Sequence, residues 1–152
     1  WKNYNVPTVS LRYFTVYGPR QRPDMAIHKF VKAILNEDKI EVFGDGTQTR
    51  DFTFISDVVD ANILAAATKI EGVVFNVGGG SRITVNELIK LLESATEKNA
   101  KIEYVEKQKG DVGDTLADTS KISNKLNLKP EIKIEEGLKR FVEWYKKQIG
   151  KE

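Results

Sequence analysis

The segment from Thr8 to Tyr17 constrains the fold of this chain more than any other part of the sequence. It is rich in β-branched and aromatic residues and nearly continuous in apolar character, as is typical of a strand covered on both faces. Further along the chain, strand-like and helix-like patterns alternate. This alternation predicts an α/β fold in which helices flank a sheet.

Hydrophobic periodicity and turn residues place the other elements. The predicted strands are Ile40 to Phe43, Arg50 to Ile55, Val73 to Val77 and Ile102 to Val105. The first predicted helix opens at Pro23-Asp24, and the second is capped at Ser56-Asp57 and runs through Lys69. The third begins with a capping box at Thr84 to Glu87, and a short fourth helix spans Thr119 to Leu126. The last helix is predicted to bury one apolar face, made of Ile134, Leu138, Phe141, Val142, Tyr145 and Ile149. Because Gly44-Asp45-Gly46 predicts a tight turn, the strand from Arg50 is expected to return beside the one that ends at Phe43.

Charge and composition exclude several classes of function. The net charge is +2, from 24 basic and 22 acidic side chains that are interspersed, so no nucleic-acid partner is predicted. The chain has no Cys and one His, which argues against a zinc site, and we predict no metal. His28 is expected to be solvated on the polar side of its helix. No apolar run approaches the ~20 residues that cross a bilayer, so no membrane partner is predicted. The absence of Cys is typical of an intracellular protein, and we expect a cytoplasmic location.

The first residues predict that this chain is a fragment. Trp1 to Asn5 resembles the tail of a helix whose body is absent, and Val6-Pro7 then leads into the first strand. The chain does not begin with Met. We therefore expect the C-terminal half of a longer protein, with a site at the first strand's end that lies partly upstream.

The first candidate site is the corner Gly18-Pro19, which follows the first strand and precedes Arg20 and Arg22. Strand ends are where α/β sheets bind ligands, so Thr15 and Tyr17 are predicted to contact one, with the arginines near its charge. The alternative is a surface turn with solvated arginines, which we favour for Arg20. Arg22 precedes Pro23 at a helix N-terminus, a position suited to anions.

The second candidate site is the run from Gly44 to Phe52. An arginine at the root of a returning strand is held rigidly, and a rigid arginine can bind a diphosphate through two parallel hydrogen bonds. This predicts a diphosphate contact at Arg50. The alternative is a hairpin in which Arg50 pairs with Asp51 or Asp57, and the spacing alone does not separate the two.

Two glycine-rich segments complete the candidates. Phe75 to Gly80 imitates a dinucleotide-binding loop, but it lacks the G-x-G-x-x-G spacing, so a tight strand-to-helix turn is favoured and only Asn76 is a candidate ligand contact. Gly110 to Thr115 carries two carboxylates, which suggest ribose hydroxyls or a metal. A metal would need more clustered oxygens than this loop provides.

Taken together, these motifs resemble the C-terminal half of the nucleotide-sugar branch of the extended short-chain dehydrogenase/reductase family. That branch includes UDP-glucose and UDP-glucuronate 4-epimerases and related dehydratases and decarboxylases. The resemblance runs in order from Trp1 to about Tyr145 and is carried by Arg12 to Asp24 (in LRYFTVYGPRQRPD), Val42 to Ala61 (VFGDGTQTRDFTFISDVVDA), Phe75 to Gly80 (FNVGGG), Gly110 to Asp118, and Leu128 to Trp144.

The resemblance implies a role for each matching position. Thr15 would face the sugar, as in members that act on UDP-glucuronate and related sugars, and Arg22 would lie near the sugar or its phosphates. Phe43 would flank the uracil, with Val42 lending backbone contacts. Arg50 would bind the diphosphate.

Two further positions follow from the same resemblance. Asn76 would support the diphosphate region, and Asp111 would bond the ribose hydroxyls. Some members carry Arg three positions before that aspartate, where this chain has Gln108. A UDP-sugar is therefore the expected partner of this chain.

The activity that the resemblance implies is NAD-dependent epimerisation. NAD, held mainly by the family's N-terminal half, takes hydride from the sugar C4 while a tyrosinate beside a lysine removes the hydroxyl proton. The keto-sugar then receives the hydride on its other face. The Gly-rich phosphate loop and the Tyr-x-x-x-Lys pair are not in this sequence. No catalytic residue is therefore predicted here, and the chain alone is expected to be inactive.

The resemblance also implies an organisation. Residues 1–20 would be the last portion of the NAD-binding Rossmann domain and residues 21–152 the nucleotide-sugar-binding domain, with 73–80 returning to the Rossmann sheet. The sheet would be mixed, and the full-length protein a homodimer. Dehydration or decarboxylation on the same scaffold, and a non-catalytic nucleotide-binding module, stay open as alternatives. Because the segment 8–17 is apolar on both faces, the isolated chain is expected to self-associate or to be marginally stable.

Overall fold

A computed structural model describes residues 1–80, 82–107, 110 and 112–150 of the chain. Strands and helices alternate along the described residues, which confirms the predicted α/β class. Their bounds are β1 (Val9–Tyr13), β2 (Val16–Tyr17), α1 (Ala26–Asn36), β3 (Lys39–Phe43), β4 (Thr49–Asp51), β5 (Thr53–Phe54), α2 (Ile55–Ala67), β6 (Val73–Val77), β7 (Arg82–Thr84), α3 (Val85–Thr96), β8 (Lys101–Val105), α4 (Ser120–Leu126) and α5 (Ile134–Ile149).

The strands of the described residues pair two by two. β1 lies parallel to β6, β2 to β5 and β3 to β8, whereas β4 and β7 are antiparallel. In the first pair Val9 lies opposite Val73 and Tyr13 opposite Val77, so both strands end at the same edge. Pairing is therefore mixed, as predicted, although it consists of separate two-stranded ladders and not of one continuous sheet.

The single strand predicted for Thr8 to Tyr17 is wrong, because the chain changes partner within it. The N–H of Phe14 still donates to the carbonyl of Val77 at 2.9 Å, next to the β1–β6 ladder. The carbonyl of Thr15 instead accepts from the N–H of Thr53 at 2.9 Å, which starts the β2–β5 ladder. The chain therefore leaves the β1–β6 ladder at Phe14 and enters the β2–β5 ladder after Thr15.

The predicted hairpin between the strands around Gly44-Asp45-Gly46 is also wrong. β3 pairs with β8, and β4 pairs with β7. The turn is present, but the strand that follows it, β4, pairs with β7 and not with β3. Local turn chemistry gives the turn correctly and cannot give the partner, since both partners lie far along the chain.

Of the two helix caps predicted from the sequence, one is confirmed and one is wrong. The predicted capping box at the start of α3 is confirmed: the N–H of Glu87 donates to Thr84 Oγ1 at 3.0 Å and the N–H of Thr84 donates to Glu87 Oε2 at 2.8 Å. The predicted cap at Ser56 is wrong, because α2 already begins at Ile55, after Phe54, and no side chain caps it. Asp57 does lie in the first turn of α2, where the helix dipole favours an anion.

Two apolar clusters hold the described chain together. The larger one packs α1, α3 and α5 against the strands below them and includes Val31, Leu88 and Phe141, all fully buried. The smaller one lies between the β1–β6 ladder and helices α2 and α4, around Phe75 and Ile122. In the last helix the predicted apolar face is buried from Leu138 to Tyr145, but Ile134 is only partly buried and Ile149 is exposed, so the prediction is wrong at both ends of the helix.

The sole histidine is enclosed by aromatic rings, and the expectation that it is solvated is wrong. The His28 ring centroid lies 5.9 Å from Phe141, 6.5 Å from Trp144 and 5.1 Å from Tyr145, in each case edge to face. Its Nδ1 lies 3.1 Å from the carbonyl oxygen of Gln21, so this nitrogen is placed to donate its proton there. Helix α5 covers a position that looks polar on α1 alone.

Asp57 joins α2 to the segment that precedes α5. The N–H of Ile132 donates to Asp57 Oδ2 at 3.5 Å, and the carboxyl group is buried. Burial raises the pKa of Asp57, and the nearby carboxylates of Asp60 and Glu131 add to the rise, while the backbone N–H groups of residues 131 and 132 oppose it. The carboxyl group is therefore easier to protonate in the folded chain than in the unfolded one.

We expect the wild-type chain to gain stability relative to an Asp57→Asn variant as the pH is lowered from neutral, through the raised folded-state pKa, toward the unfolded pKa of about 4. The folded-state pKa lies above the unfolded one, so the stabilising contribution is full below the unfolded pKa and is lost as the pH rises through the folded pKa. Urea unfolding of both proteins at each pH measures the difference, and the other carboxyl groups, common to both, cancel. A difference that shrinks on acidification would contradict the assignment.

Candidate functional site

A cavity of ≈ 710 Å³ opens between α1, β3, β4 and the start of α3. It brings together four of the predicted binding residues, Thr15, Val42, Phe43 and Arg50. They come from separate stretches of sequence, and the fold places them on one surface. The volume is in the range of small-molecule sites.

The cavity wall is largely apolar, and it also carries six charged side chains: Asp24, Lys29, Lys39, Glu41, Arg50 and Glu103. Phe30 of α1, Ile40 of β3 and Leu88 of α3 line the wall. Lys29 and Glu41 are exposed charged groups on the same lining. An apolar wall with a few placed polar groups is the usual construction of a site that orients one small ligand.

Arg50 is the half-buried cation of this cavity, and backbone carbonyls orient it. Its Nη1 donates to the carbonyl of Thr49 at 2.9 Å and to the carbonyl of Gly113 at 3.1 Å. The side chain is thus held by its own strand and by the segment that follows residue 111. A guanidinium is planar and always charged, and these two carbonyls hold that plane in one orientation.

Phe43 stands at the end of β3 with its ring at the edge of the cavity. It is 36% exposed and also borders a smaller cavity of ≈ 140 Å³ with Gly44, Asp45 and Thr47. Gln48 Nε2 donates to the Phe43 carbonyl at 2.8 Å, which fixes the backbone there. An exposed aromatic ring on a fixed strand end offers a face for stacking a planar base.

Helix α3 holds the turn after β3 in place. Asn86 Nδ2 donates to the carbonyl of Asp45 at 2.9 Å, and the N–H of Asn86 donates to the carbonyl of Gly46 at 3.1 Å. Gly46 has φ of 77°, and a Cβ there would fall inside the Asn86 side chain. The glycine is therefore required by conformation and by space, and the turn keeps Phe43 where it is.

The segment 112–118 runs beside β4 at the same end of the site. Thr49 Oγ1 donates to Asp114, and this bond is the main reason that the pKa of Asp114 is lowered. Two positions singled out from the sequence, Gln108 and Asp111, lie outside the described residues. The predicted ribose contact of Asp111 therefore stays a prediction.

Arg22 lies outside this cavity. It lines a separate groove of ≈ 300 Å³ with Arg20 and Gln21, and its Nη2 forms a 2.9 Å ion pair with Asp24. Both partners are largely exposed, and exposed pairs contribute about 0–1 kcal/mol, so a ligand anion could replace Asp24 at little cost. Met25 lines both the groove and the cavity, which makes them neighbours.

Tyr17 is a core residue, and its predicted ligand contact does not fit the structure. Its side chain is 1% exposed and packs edge to face against Phe52 and Phe54, at centroid distances of 6.1 and 5.4 Å. The hydroxyl donates to the carbonyl of Ile134 at 3.5 Å, and burial raises its pKa. The pairing of β2 with β5 turns this side chain inward.

Asn76 is bound to its neighbours and is not part of the cavity lining. Its Oδ1 accepts from Arg12 Nε at 2.9 Å, across the β1–β6 ladder. Its Nδ2 donates to the carbonyl of Asp118 at 3.1 Å. These bonds join β6 to β1 and to the residue Asp118, which lies two positions before α4.

The residue that sequence reasoning missed is Asp51. It is fully buried, and its carboxylate accepts from the N–H of Gly79 at 2.7 Å and from the N–H of Ala117 at 3.0 Å. A Cβ on Gly78 or Gly79 would collide with this arrangement, so the triple glycine is a close-packed turn, as the favoured interpretation predicted. No spacing pattern finds Asp51, because its partners are backbone groups distant in sequence.

Two features of other classes of protein are absent from the described part of the chain. No group of three or more His, Cys, Asp or Glu side chains is placed there to hold a metal ion. No helix in that part is long and apolar enough to cross a membrane.

Comparison with known proteins shows the family of this chain. The model of the NAD dependent epimerase/dehydratase family matches residues 1–78. Over 147 residues the chain is 48% identical to a UDP-glucuronate 4-epimerase of Thermodesulfobacterium geofontis, a match that covers 96% of this chain and 45% of that protein. The chain spans about half the length of the curated relatives it matches.

The fold is similar to that of two solved structures. A UDP-glucuronic acid 4-epimerase of Bacillus cereus, in complex with UDP-glucuronic acid and NAD, is 42% identical with a TM-score of 0.93, over 97% of this chain and 48% of that one. A UDP-glucose 4-epimerase of Thermotoga maritima with UDP-glucose is 38% identical with a TM-score of 0.93, over the same shares.

The fold and the comparisons define the chain as part of a Rossmann-type short-chain dehydrogenase/reductase. More particularly, the chain belongs to the NAD dependent epimerase/dehydratase family, since the family model covers more than half of it. This confirms the resemblance that the sequence motifs carry.

Proposed function

We propose that this chain is the substrate-binding half of an NAD-dependent UDP-sugar 4-epimerase. The observation that carries the proposal is the cavity that gathers Arg50, Phe43, Val42 and Thr15. Arg50 binds the diphosphate through charge-assisted hydrogen bonds, and Phe43 packs against the uracil. Thr15, at the junction of β1 and β2, offers its hydroxyl to the sugar.

The remaining predicted binding residues act from outside the cavity lining. Arg22, in the neighbouring groove, exchanges its ion pair with Asp24 for the sugar or its phosphates. Asp111 bonds the ribose hydroxyls, and Asn76 supports the region from behind. Tyr17 is left out, because its side chain is in the core.

NAD is bound mainly by residues outside this chain. The glycine loop after β6 does not fit the cofactor, because the N–H of Gly79 already donates to Asp51 and the space beside Gly78 and Gly79 is filled. A dinucleotide fingerprint needs open backbone N–H groups and room for the pyrophosphate. The hydride and proton transfers therefore belong to the rest of the whole protein, and this chain positions the substrate.

The domain organisation follows from the same proposal. Residues 1–20 and 73–80 belong to the Rossmann sheet, and the remainder of 21–152 belongs to the nucleotide-sugar-binding domain. Support comes from the β1–β6 ladder, in which β1 is paired along one side only within the described residues. Tyr13, Val59 and Ile63 are exposed apolar side chains on β1 and α2. The whole protein would cover this face and form a homodimer.

We expect the isolated chain to self-associate through this face. Val59 and Ile63 lie one turn apart on α2, and exposed apolar surface beside an unpaired strand edge promotes association. A Val59→Glu/Ile63→Glu variant should shift light scattering toward monomer. Ile149→Glu, an exposed apolar residue on α5, is the matched control and should leave the association unchanged. A wild-type chain that is monomeric and melts above ~60 °C would contradict this expectation.

Calorimetric titration tests the proposed function. UDP, UDP-glucose and UDP-glucuronate are titrated into the chain, with uridine and ADP as controls. The UDP ligands should bind, uridine should bind at least ~10-fold more weakly because it lacks the diphosphate, and ADP should be weakened by the wrong base. A preference for the glucuronate identifies the sugar. Equal affinity for UDP and uridine would contradict a diphosphate contact at Arg50.

A further inference from the structure

Asp51 is buried at the meeting point of three backbone segments. It belongs to β4, and its two carboxylate oxygens accept from Gly79 and from Ala117, at 2.7 and 3.0 Å. Both donors are backbone N–H groups, one from the loop after β6 and one from the segment 112–118. A buried carboxylate with two such bonds ties its partners together, because each donor would lose a hydrogen bond if the carboxylate were removed.

The segment 112–118 lies against β4 through a short ladder that Asp51 completes. The N–H of Thr49 donates to the carbonyl of Gly113 at 3.0 Å, and the N–H of Thr115 donates to the carbonyl of Thr49 at 3.2 Å. The N–H of Asp51 donates to Thr115 Oγ1 at 3.3 Å. The hydrogen bonds between β4 and this segment therefore extend from Gly113 to Ala117, and the bond from the Ala117 N–H to the Asp51 carboxylate is the last of them.

One of the two carbonyls that orient Arg50 belongs to the segment 112–118. Arg50 lies between Thr49 and Asp51, and its Nη1 donates to the carbonyl of Gly113 at 3.1 Å. Arg50 lines the ≈ 710 Å³ cavity, whereas Asp51 is not part of the lining. Any influence of Asp51 on a ligand in the cavity is therefore indirect, and the segment 112–118 with Arg50 offers one route for it.

We propose that Asp51 is a positioning residue that anchors the segment 112–118 to β4 and thereby preorganises Arg50 for a diphosphate. This inference rests on the proposed function of the cavity. In Asp51→Asn the shape is kept, but one oxygen becomes an amide nitrogen that cannot accept, so one of the two N–H groups loses its partner. The segment should loosen, and Arg50 should lose part of its fixed geometry.

Amide hydrogen exchange tests the anchoring without any ligand. In Asp51→Asn, exchange at residues 115–117 should accelerate by roughly 10-fold or more, while exchange in α5 stays unchanged. Thr115→Val, which removes the acceptor for the Asp51 N–H, should give a smaller acceleration in the same place and serves if the first variant fails to fold. Exchange that is unchanged in both variants would overturn the proposal.

A double-mutant cycle tests the action through Arg50. Asp51→Asn should weaken UDP-glucose binding by about 10-fold in the wild-type background and by less than about 2-fold in an Arg50→Ala background. Equal losses in both backgrounds would make Asp51 a general structural residue and would overturn the proposal. If the wild-type chain does not bind UDP-glucose, the proposed function of the cavity is wrong. If it binds but Asp51→Asn weakens binding equally in both backgrounds, only the positioning role of Asp51 is wrong.

Discussion

Replacing Arg50 with alanine should raise the Kd of this chain for UDP and UDP-sugars by roughly 30- to 100-fold, which is about 2–3 kcal/mol. Arg50 is half-buried and its Nη1 is already fixed by the carbonyls of Thr49 and Gly113, so little conformational entropy is lost when it binds an anion. A charge-assisted, two-pronged contact made by a fixed side chain is the strongest polar interaction available in the cavity. Calorimetric titration of both proteins measures the loss.

Two further variants sharpen the Arg50 result. Arg50→Lys keeps the charge but not the planar fork, so its loss should be intermediate, about 10-fold. Arg140→Ala removes an exposed arginine that pairs with Glu136 on α5 at 2.8 Å, and it should leave UDP affinity unchanged. If Arg50→Ala and Arg140→Ala bind UDP equally well, the diphosphate contact is not at Arg50.

Gly79→Ala should destabilise the fold by roughly 3 kcal/mol or more. Gly79 does not have a positive φ, so the cost is steric: a Cβ there would fall far inside van der Waals contact of the Phe52 carbonyl oxygen and 3.3 Å from Asp51 Oδ1. Relief requires the backbone to move, which would also break the 2.7 Å bond from the Gly79 N–H to Asp51. Urea unfolding monitored by circular dichroism measures the loss.

Gly113→Ala is the matched control for Gly79→Ala. A Cβ on Gly113 meets nothing within 4 Å, and its φ is not positive, so the change should stay within about 0.5 kcal/mol. Similar losses in the two variants would mean that the close approach of the loop to β4 does not decide stability. A large loss confined to Gly79→Ala would establish the glycine turn as a packing requirement.

The elements that local signals determine are the ones that the sequence predicts well. β6 has the predicted bounds, and α3 begins with the predicted capping box, because alternation and caps act over a few residues. The break between β1 and β2 could not be predicted, since it depends on Val77 and Thr53, which are distant in sequence. The partner of β4 could not be predicted for the same reason.

The residues of the candidate site are also predicted only in part from the sequence. Arg50 could be singled out because a glycine turn before a strand marks a rigid place for a functional side chain. Phe43 follows only from the family resemblance, and the cavity contains both residues. Tyr17 was misassigned because a strand end looks accessible until its partner strand is known. Asp51 was missed because its role lies in backbone groups that no residue pattern records.

A crystal structure of the chain grown with saturating UDP-glucuronate tests the central claim most directly. We predict the diphosphate within about 3 Å of the Arg50 guanidinium, the uracil against Phe43 and the sugar toward Thr15, all inside the ≈ 710 Å³ cavity. A nucleotide bound elsewhere on the chain, or a cavity with no nucleotide despite the saturating ligand, would contradict the account.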